Sequence, residues 1–386
     1  MQIAKEKYFP ADKIELVRSG ADYFDRMISM IHHSTKTIHL QTYIFAYDII
    51  GKKILAALIE ASVRNVEVNV LCDSFGSADF KKEIKNTPGL KNIHLRFFSP
   101  AYLSAGFRAG RRLHHKVFVV DDKEAIVGGI NISDNYAGTP TEKEWLDFAV
   151  YIQGTICLQL TKICIALLNN KYKPSFSNKT RTVNQSTLVR FCQSDYIRGK
   201  RQITLSYRNA IRSSRKEIIL INAYFLPGIR LKSLLQKASK RGVKIKLILS
   251  ANSDVPFIKR AMNYYYQWLF RNNIEVYEYQ PTVLHAKAAM YDNELASIGS
   301  FNLNYLSEYI SIELNADIVN KNFTENFKTV INQIIENDCK KISIHTIHEE
   351  NISSRLLDTS AYYLLSISQS FLFFITRKDK VNELSE

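Results

Sequence analysis

The chain has no uninterrupted apolar run of the ~18–20 residues that a membrane-spanning helix requires, although 46% of its 386 residues are hydrophobic. Its first residues, MQIAKEKYFPADKIELV, contain no apolar h-region, so no signal peptide is expected and the body of the protein is expected to face the cytoplasm. Cysteine is sparse: Cys72, Cys157, Cys164, Cys192 and Cys339 are scattered, odd in number and form no C-x-x-C pair. Such usage fits buried free thiols in a reducing compartment, and no Cys/His cluster has the spacing of a zinc site. Neither a metal nor a cofactor is therefore expected. Acidic residues are in short supply, 37 against 52 Lys and Arg, a formal charge of +15. That excess predicts attraction to polyanions, either nucleic acid or an anionic membrane surface. No recognisable nucleic-acid module accompanies it, so nucleic acid is not the expected partner.

What the chain does contain is an internal repeat. Residues 37–72 and 217–249 each read as a β-rich run, an amphipathic helix and an alternating strand. Ile54, Leu58 and Ala61 mark the apolar face of the first helix, and Leu231, Leu234 and Leu235 that of the second. A strand–helix–strand unit implies a parallel pair with a helical crossover, hence an α/β sheet in each half. The join is expected at 171–184, a polar, Ser/Thr/Asn-rich stretch carrying Pro174. The resulting domains are 1–170, the linker 171–184, 185–340, and a C-terminal element from 341 to 386.

Each half continues into a second shared pattern, HHKVFVVDDKEAIVGGIN at 114–131 and HAKAAMYDNELASIGSFN at 285–302. Both are H-x-K, four residues, D, six residues, G-G/S-x-N. The first copy holds His114, Lys116, Asp121, Gly128, Gly129 and Asn131, and the second His285, Lys287, Asp292, Gly299, Ser300 and Asn302. His and Lys two apart on a strand share a face. If Asp122-Lys123 and Asn293-Glu294 are two-residue hairpin loops, His114 faces Asn131 and His285 faces Asn302. The glycines then allow close approach to the backbone.

Lysine offers a point charge to phosphate, asparagine a neutral donor, and histidine a nucleophile or proton carrier. Two facing copies allow one imidazole to attack phosphorus while the other protonates the leaving oxygen. Asp121 and Asp292 sit roughly 16 Å beyond their lysines, at ~3.3 Å per residue, and read as turn anchors. Orienting carboxylates are expected at Asp147 and Glu313, each early in a following strand, where they would fix an imidazole tautomer. Glu142 competes with Asp147, because its offset from Asn131 matches that of Glu313 from Asn302. A lone histidine would usually be structural, but a six-member pattern present twice argues for chemistry. The other seven histidines fit neither copy. Tyr43 and Tyr224 are read as matching positions of the two repeats and are expected at the mouth of the site, core packing being the more usual role of a tyrosine on a strand.

The two motifs resemble the H-x-K-D signature of the phospholipase D superfamily, and the resemblance extends over about residues 10–340. IHLQTYIF at 38–45, Gly-Gly-x-Asn-Ile at 128–132, Trp145-Leu-Asp147, INAYFLPG at 221–228 and EYQPTVLHAK at 278–287 look like bacterial cardiolipin synthases of the short type. IELVRSGADYFDRMISMI matches that family's usual opening. The resemblance implies two phospholipase D-like halves, each a mixed β-sheet flanked by helices, packed face to face with the active site between them. It implies a catalytic set of His114, Lys116, Asp121, His285, Lys287 and Asp292, with Asn131 and Asn302 on the phosphate and Asp147, Glu313, Gly129 and Ser300 in support. It implies a phosphatidyltransferase that passes a phosphatidyl group through a phosphohistidine, His114 as nucleophile and His285 as acid/base, to the hydroxyl of phosphatidylglycerol. Hydrolysis of phospholipid, cleavage of DNA by the same chemistry, and a catalytically silent lipid-binding protein are the alternatives. Donor identity (phosphatidylglycerol or phosphatidylethanolamine) and oligomeric state stay open.

Many members of that family begin with two membrane-spanning helices, which this chain lacks, so attachment falls to another segment. Peripheral association with the cytoplasmic face of a bacterial inner membrane is expected. In the C-terminal element Leu357, Ala361, Leu364, Leu365, Phe371, Leu372 and Ile375 share one helical face, with Arg377, Lys378 and Lys380 following. Such a helix could lie in the interface with its basic residues on anionic headgroups, or pack on the protein's own core. The loop AYLSAGFRAGRR at 101–112 is a second candidate for membrane contact.

Overall fold

The computed structural model describes residues 8–98, 111–169, 187–343 and 352–383. The expected join at 171–184 and all but the last two residues of the loop 101–112 lie outside the described residues. The first part of the chain supplies β1 (Phe9–Pro10), β2 (Lys13–Arg18), β3 (Thr37–Thr42), β4 (Glu67–Asp73), β5 (Ile93–Phe98), β6 (Arg112–Leu113), β7 (Val117–Val120), β8 (Glu124–Gly128) and β9 (Phe148–Gln153). The second part supplies β10 (Leu188–Asp195), β11 (Lys200–Arg201), β12 (Glu217–Asn222), β13 (Lys244–Asn252), β14 (Ile274–Val283), β15 (Lys287–Tyr291), β16 (Leu295–Gly299), β17 (Ser311–Val319) and β18 (Cys339–Ile342).

Both halves build one mixed sheet with the same order. The first runs β2-β9-β8-β7-β3-β4-β5 and the second β10-β17-β16-β15-β12-β13-β14. β3 pairs parallel to β4 across the helix Ile49–Val63, and β12 parallel to β13 across the helix Ile229–Lys240, as the repeat predicts. Ile54, Leu58 and Ala61 are buried, as are Leu234 and Leu235, while Leu231 is partly covered. The first part lends β1 and β6 to the second sheet. β1 pairs with β10 of the second sheet, and β18 extends that sheet past residue 340 on β14.

The inner faces of the sheets meet in one apolar layer that includes Val127 and Val150 from the first and Ile298 and Leu314 from the second. Outside it, each sheet carries its own helical layer and a separate core. The centre of the molecule is therefore a two-sheet contact, and the motif strands β7, β8, β15 and β16 lie within it.

The hairpin turns differ from expectation. Asp121 and Asp122 both adopt left-handed backbone angles (φ 51° and 60°), as do Asp292 and Asn293 (52° and 59°). Asp and Asn tolerate this region because their short polar side chains bond locally. Pairing resumes with Val120 opposite Glu124 and Tyr291 opposite Leu295, so each loop has three residues, not two. A one-residue change of register exchanges the faces of a strand. His114 is therefore not set opposite Asn131, nor His285 opposite Asn302.

The C-terminal element forms the helix Ile352–Glu383. One side is docked: Ala361 and Asp358 are buried, Arg260 donates to Asp358 at 3.2 Å, and the Tyr362 ring stacks on Tyr264 at 4.0 Å. The other side leaves Leu356, Leu357, Tyr363, Leu364 and Ile367 exposed, Ile367 by 67%. The face expected from the helical wheel is thus split, Ala361 and Leu365 going to the protein and Leu357 and Leu364 to solvent. The side chains of Phe371, Leu372, Ile375 and the basic residues after them lie outside the described residues.

Candidate active site

The two motif histidines are brought together by a reciprocal exchange between halves. β6 runs parallel to β17, pairing Leu113 with Ile312, and the His114 N–H donates to the Ile312 carbonyl at 2.9 Å. Leu146 and Leu284 form the mirror-image bridge, and the His285 N–H donates to the Leu146 carbonyl at 2.8 Å. The next residue on each donor segment is a carboxylate, and it reaches the histidine of the other half. Glu313 Oε2 lies 2.8 Å from His114 Nδ1, and Asp147 Oδ2 lies 2.6 Å from His285 Nδ1. Both carboxylates are fully buried. With Nδ1–H donated to a carboxylate, each ring keeps the lone pair of a neutral imidazole on Nε2.

The expected orienting carboxylates are thus in place, each on the imidazole of the opposite half. Glu142 is exposed and takes no part; its backbone N–H donates to Thr139. The segment Gly138–Glu144 lengthens the first half, so counting residues from Asn131 points to the wrong carboxylate.

Each lysine turns back on its own histidine. Lys116 Nζ donates to the His114 carbonyl at 2.9 Å, and Lys287 Nζ donates to the His285 carbonyl. Lys287 also lies 2.7 and 3.0 Å from Nδ1 and Nε2 of His285. Because Nδ1 is already a donor to Asp147, only Nε2 can accept from the ammonium. The His114 ring has no such contact with Lys116, which lies over the Tyr43 ring.

Burial and the two cations set the electrostatics. Burial lowers Lys116 to about 7 and Lys287 to about 8, each resisted by Asp147 and Glu313. Burial, then Lys287, lowers His285 to about 4 against the pull of Asp147. His114 is lowered by burial, with Glu313 opposing and both lysines assisting. Burial works to raise Asp147, but Lys287 and His285 hold it below the ordinary carboxylate value. Each half's lysine acts on the other half's histidine, which marks the four groups as one site. An arriving phosphodiester anion adds the negative charge that this cluster lacks, raising the lysines and the histidines together.

Gly129 and Ser300 occupy matching positions and treat their carboxylates differently. A Cβ at Gly129 would lie 2.4 and 2.6 Å from the two Asp147 oxygens, so the absent side chain is what admits the carboxylate. Ser300 instead donates to Glu313 Oε2 at 2.5 Å, and Ser307 donates to the other oxygen at 2.7 Å. Asn131 is not placed for phosphate: its Oδ1 accepts from the Ile44 N–H at 3.1 Å and its amide donates to the Tyr136 hydroxyl at 2.8 Å. The three-residue turn is the reason, since it shifts Asn131 away from the position opposite His114. Asn302 is also buried, and its side-chain oxygen has no partner among the described residues.

Asp121 and Asp292 are remote from the imidazoles. Asp121 accepts from the N–H groups of Thr35, Lys36 and Thr37 and from the Thr35 hydroxyl, at 2.7–2.9 Å. Asp292 accepts from the N–H groups of Arg215, Lys216 and Glu217 at 2.8–3.0 Å. Both tie the hairpin tip to the entry of the neighbouring strand, and neither is bonded to a motif histidine or lysine.

Aromatic rings wall the histidines. Tyr43 packs edge-on to His114, and Tyr136, Trp145 and Tyr224 surround His285. Tyr43 and Tyr224 stand one place apart in the repeat, because Ile44 is the counterpart of Tyr224. Four contributors gave no signal in the sequence. Asp73 accepts from the Leu113 N–H and Ser250 from the Leu284 N–H, each fixing the residue before a histidine. Ser19 donates to the Trp145 carbonyl and accepts from the Asp147 N–H. Asp254 accepts from the Tyr224 hydroxyl. Among the described residues no group of three His, Cys, Asp or Glu side chains is arranged to hold a metal ion.

A family model described as "Cardiolipin synthase, PLD-like domain" matches residues 27–150 and 207–335. Cardiolipin synthase B of Escherichia coli strain K12 is 30% identical over 342 residues, covering 86% of this chain and 82% of that protein. Cardiolipin synthase of Clostridium perfringens strain 13 is 28% identical over 360 residues, covering 90% of this chain and 75% of that protein. Among solved structures, phosphatidylserine synthase of Haemophilus influenzae Rd KW20 shares the fold, with a TM-score of 0.76 over 95% of this chain and 96% of that one at 15% identity.

Proposed function

Since the chain belongs to the cardiolipin synthase family of phospholipase D-like proteins, we propose that it makes cardiolipin by carrying a phosphatidyl group on a histidine and passing it to phosphatidylglycerol. The observation that carries this reading is the reciprocal pair of carboxylate–imidazole contacts, which holds two Nε2 atoms ready for phosphoryl chemistry in one buried site.

In the proposed first step the His114 Nε2 lone pair attacks phosphorus, and the bond from phosphorus to the headgroup oxygen breaks. His285, protonated once the anion is bound, gives its Nε2 proton to the departing alcohol. In the second step neutral His285 takes the proton of the incoming hydroxyl, whose oxygen displaces His114 from phosphorus. Lys116 and Lys287 neutralise the charge developing on the phosphoryl oxygens. The assignment of His114 as nucleophile is supported by the asymmetry at the lysines: Nε2 of His285 lies beside an ammonium and that of His114 does not.

The apolar side of the C-terminal helix supports peripheral attachment. No helix among the described residues is long and apolar enough to cross a membrane. A helix docked on one side and bearing five exposed large hydrophobic residues on the other fits a surface that meets lipid.

Phosphatidylglycerol vesicles incubated with the purified protein, with lipid products followed by mass spectrometry, test the activity. Cardiolipin plus glycerol, lost in His114→Ala and in His285→Ala, is expected. Phosphatidic acid as the sole product would replace transfer with hydrolysis, and cleavage of DNA without lipid turnover would overturn the reading.

A further inference from the structure

A cavity of about 660 Å³ lies in the second half, bounded by the starts of the helices Ile229–Lys240 and Tyr305–Tyr309 and by the C-terminal helix; none of the motif histidines or lysines lines it. Four cationic side chains, Arg201, Arg208, Arg230 and Lys232, line it against a single carboxylate, Glu308, which lies 3.5 Å from Arg208. Arg201 and Lys232 rest on aromatic faces, 4.9 Å from the Tyr196 ring centre and 5.1 Å from that of Trp268. The ring faces attract these cations and hold them at the cavity wall.

The matching helix start in the first half is acidic. Its helix Ile49–Val63 is closed by two carboxylates: Asp48 accepts from the Gly51 N–H at 2.9 Å, and Asp134 from the N–H groups of Ile49 and Ile50 at 3.1 and 2.8 Å. At the repeat positions of those carboxylates the second half has Gly228 and Tyr305, and the helix Ile229–Lys240 begins without a side-chain cap. The second half thus carries no capping carboxylate at this helix start and gathers positive charge around it. The cavity also borders the helix already assigned to the lipid surface. Tyr362 and Ser366 line it, and Tyr363 and Ile367 are exposed on the same helix.

We propose that this cavity holds the phosphate of an anionic lipid headgroup, seating the protein on the membrane at a site separate from the one where phosphoryl transfer occurs. Guanidinium groups match phosphate oxygens in pairs, and the open helix start adds N–H donors. The proposal rests on the reading that the exposed side of the C-terminal helix meets the membrane. It adds that attachment is headgroup-dependent and that the dependence is local to these residues.

The test uses the full chain carrying His114→Ala, so that no lipid is consumed, and measures co-sedimentation with phosphatidylcholine vesicles with or without phosphatidylglycerol. Arg201→Gln, Arg208→Gln and Arg230→Gln are combined in one variant. A control removes the same charge from exposed lysines of the first half, Lys53→Gln, Lys82→Gln and Lys85→Gln. The cavity variant should lose on the order of a hundredfold in partition onto phosphatidylglycerol vesicles, at about fivefold per cation, and the control only a few-fold. Both should bind phosphatidylcholine vesicles equally. Equal losses in the two variants, or full binding by the cavity variant, would overturn the proposal. An unchanged melting temperature, and retained activity on detergent-dispersed lipid when His114 is restored, separate loss of the site from loss of fold and from failure of the catalytic reading. If the triple variant melts early, Arg230→Gln alone should still cost about fivefold. A wild-type chain that binds neither vesicle would remove the membrane reading and the cavity with it.

Discussion

Replacing Gly129 with alanine puts a methyl group where Asp147 keeps its carboxylate. Gly129 does not use a left-handed backbone angle, so alanine is tolerated by the main chain and the effect is confined to the side-chain contact. The new Cβ would sit 2.4 and 2.6 Å from the Asp147 oxygens, where about 3.4 Å is needed. Relief requires a shift of roughly 1 Å, which takes the 2.6 Å contact with His285 Nδ1 beyond hydrogen-bonding range. A charge-assisted hydrogen bond contributes about 1.5–3 kcal/mol. If it acts on the transition state, kcat should fall roughly 10- to 150-fold. The deficit should appear in kcat more than in KM, because the lysines that meet the phosphate are untouched. Steady-state cardiolipin formation from phosphatidylglycerol in mixed micelles, with melting temperature as the control for folding, measures it. Ser300→Ala, which removes one of two hydroxyls from Glu313 without adding bulk, should cost less than tenfold. A Gly129→Ala enzyme with kcat within threefold of wild type would show that the Asp147–His285 contact does not position the acid/base.

Lys116 and Lys287, lowered to about 7 and 8, should lose their charge as pH rises through that range. KM for phosphatidylglycerol should therefore climb between pH 7 and 9, and a flat KM profile would contradict the lysines' role in binding phosphate. Asp121→Ala removes four hydrogen bonds at a turn and should lower stability by about 2–4 kcal/mol while sparing turnover per folded molecule. Denaturation paired with active-site-normalised rates decides that, and a kcat loss above tenfold in fully folded protein would return Asp121 to the chemistry. Leu364→Asp combined with Ile367→Asp, on the exposed side of the C-terminal helix, should abolish vesicle binding without shifting the melting temperature. A lowered melting temperature would mean that this side packs on protein.

The repeat made the fold legible, because hydrophobic periodicity reports local geometry and the same local geometry occurs twice. The motif histidines and lysines were legible for the same reason. The exchange of Glu313 and Asp147 between halves was not, since nothing local says which sheet a carboxylate will face once two sheets pack. The hairpin register depended on whether Asp121 and Asp292 adopt left-handed backbone, a choice of one residue that patterning cannot fix and that misplaced Asn131. Glu142 was a false competitor because a surface insertion broke the count. The C-terminal helix was read as having one apolar face; the helix Pro256–Asn263 takes half of that face, which only tertiary contact reveals.

The reciprocal exchange between β6 and β17, and between Leu146 and Leu284, has a consequence for ancestry. Each half lends its carboxylate outward and borrows one in return, which is the arrangement a twofold axis imposes on two identical subunits. A gene duplication that fused such subunits would inherit a working site at once and be free of the obligation to keep its halves alike. Glycine beside one carboxylate and serine beside the other, and a carboxylate-capped helix in one half where the other has an open basic cavity, are differences of the kind that freedom would allow. Division of labour between two once-equivalent histidines then needs no new residue at either, only unequal neighbours.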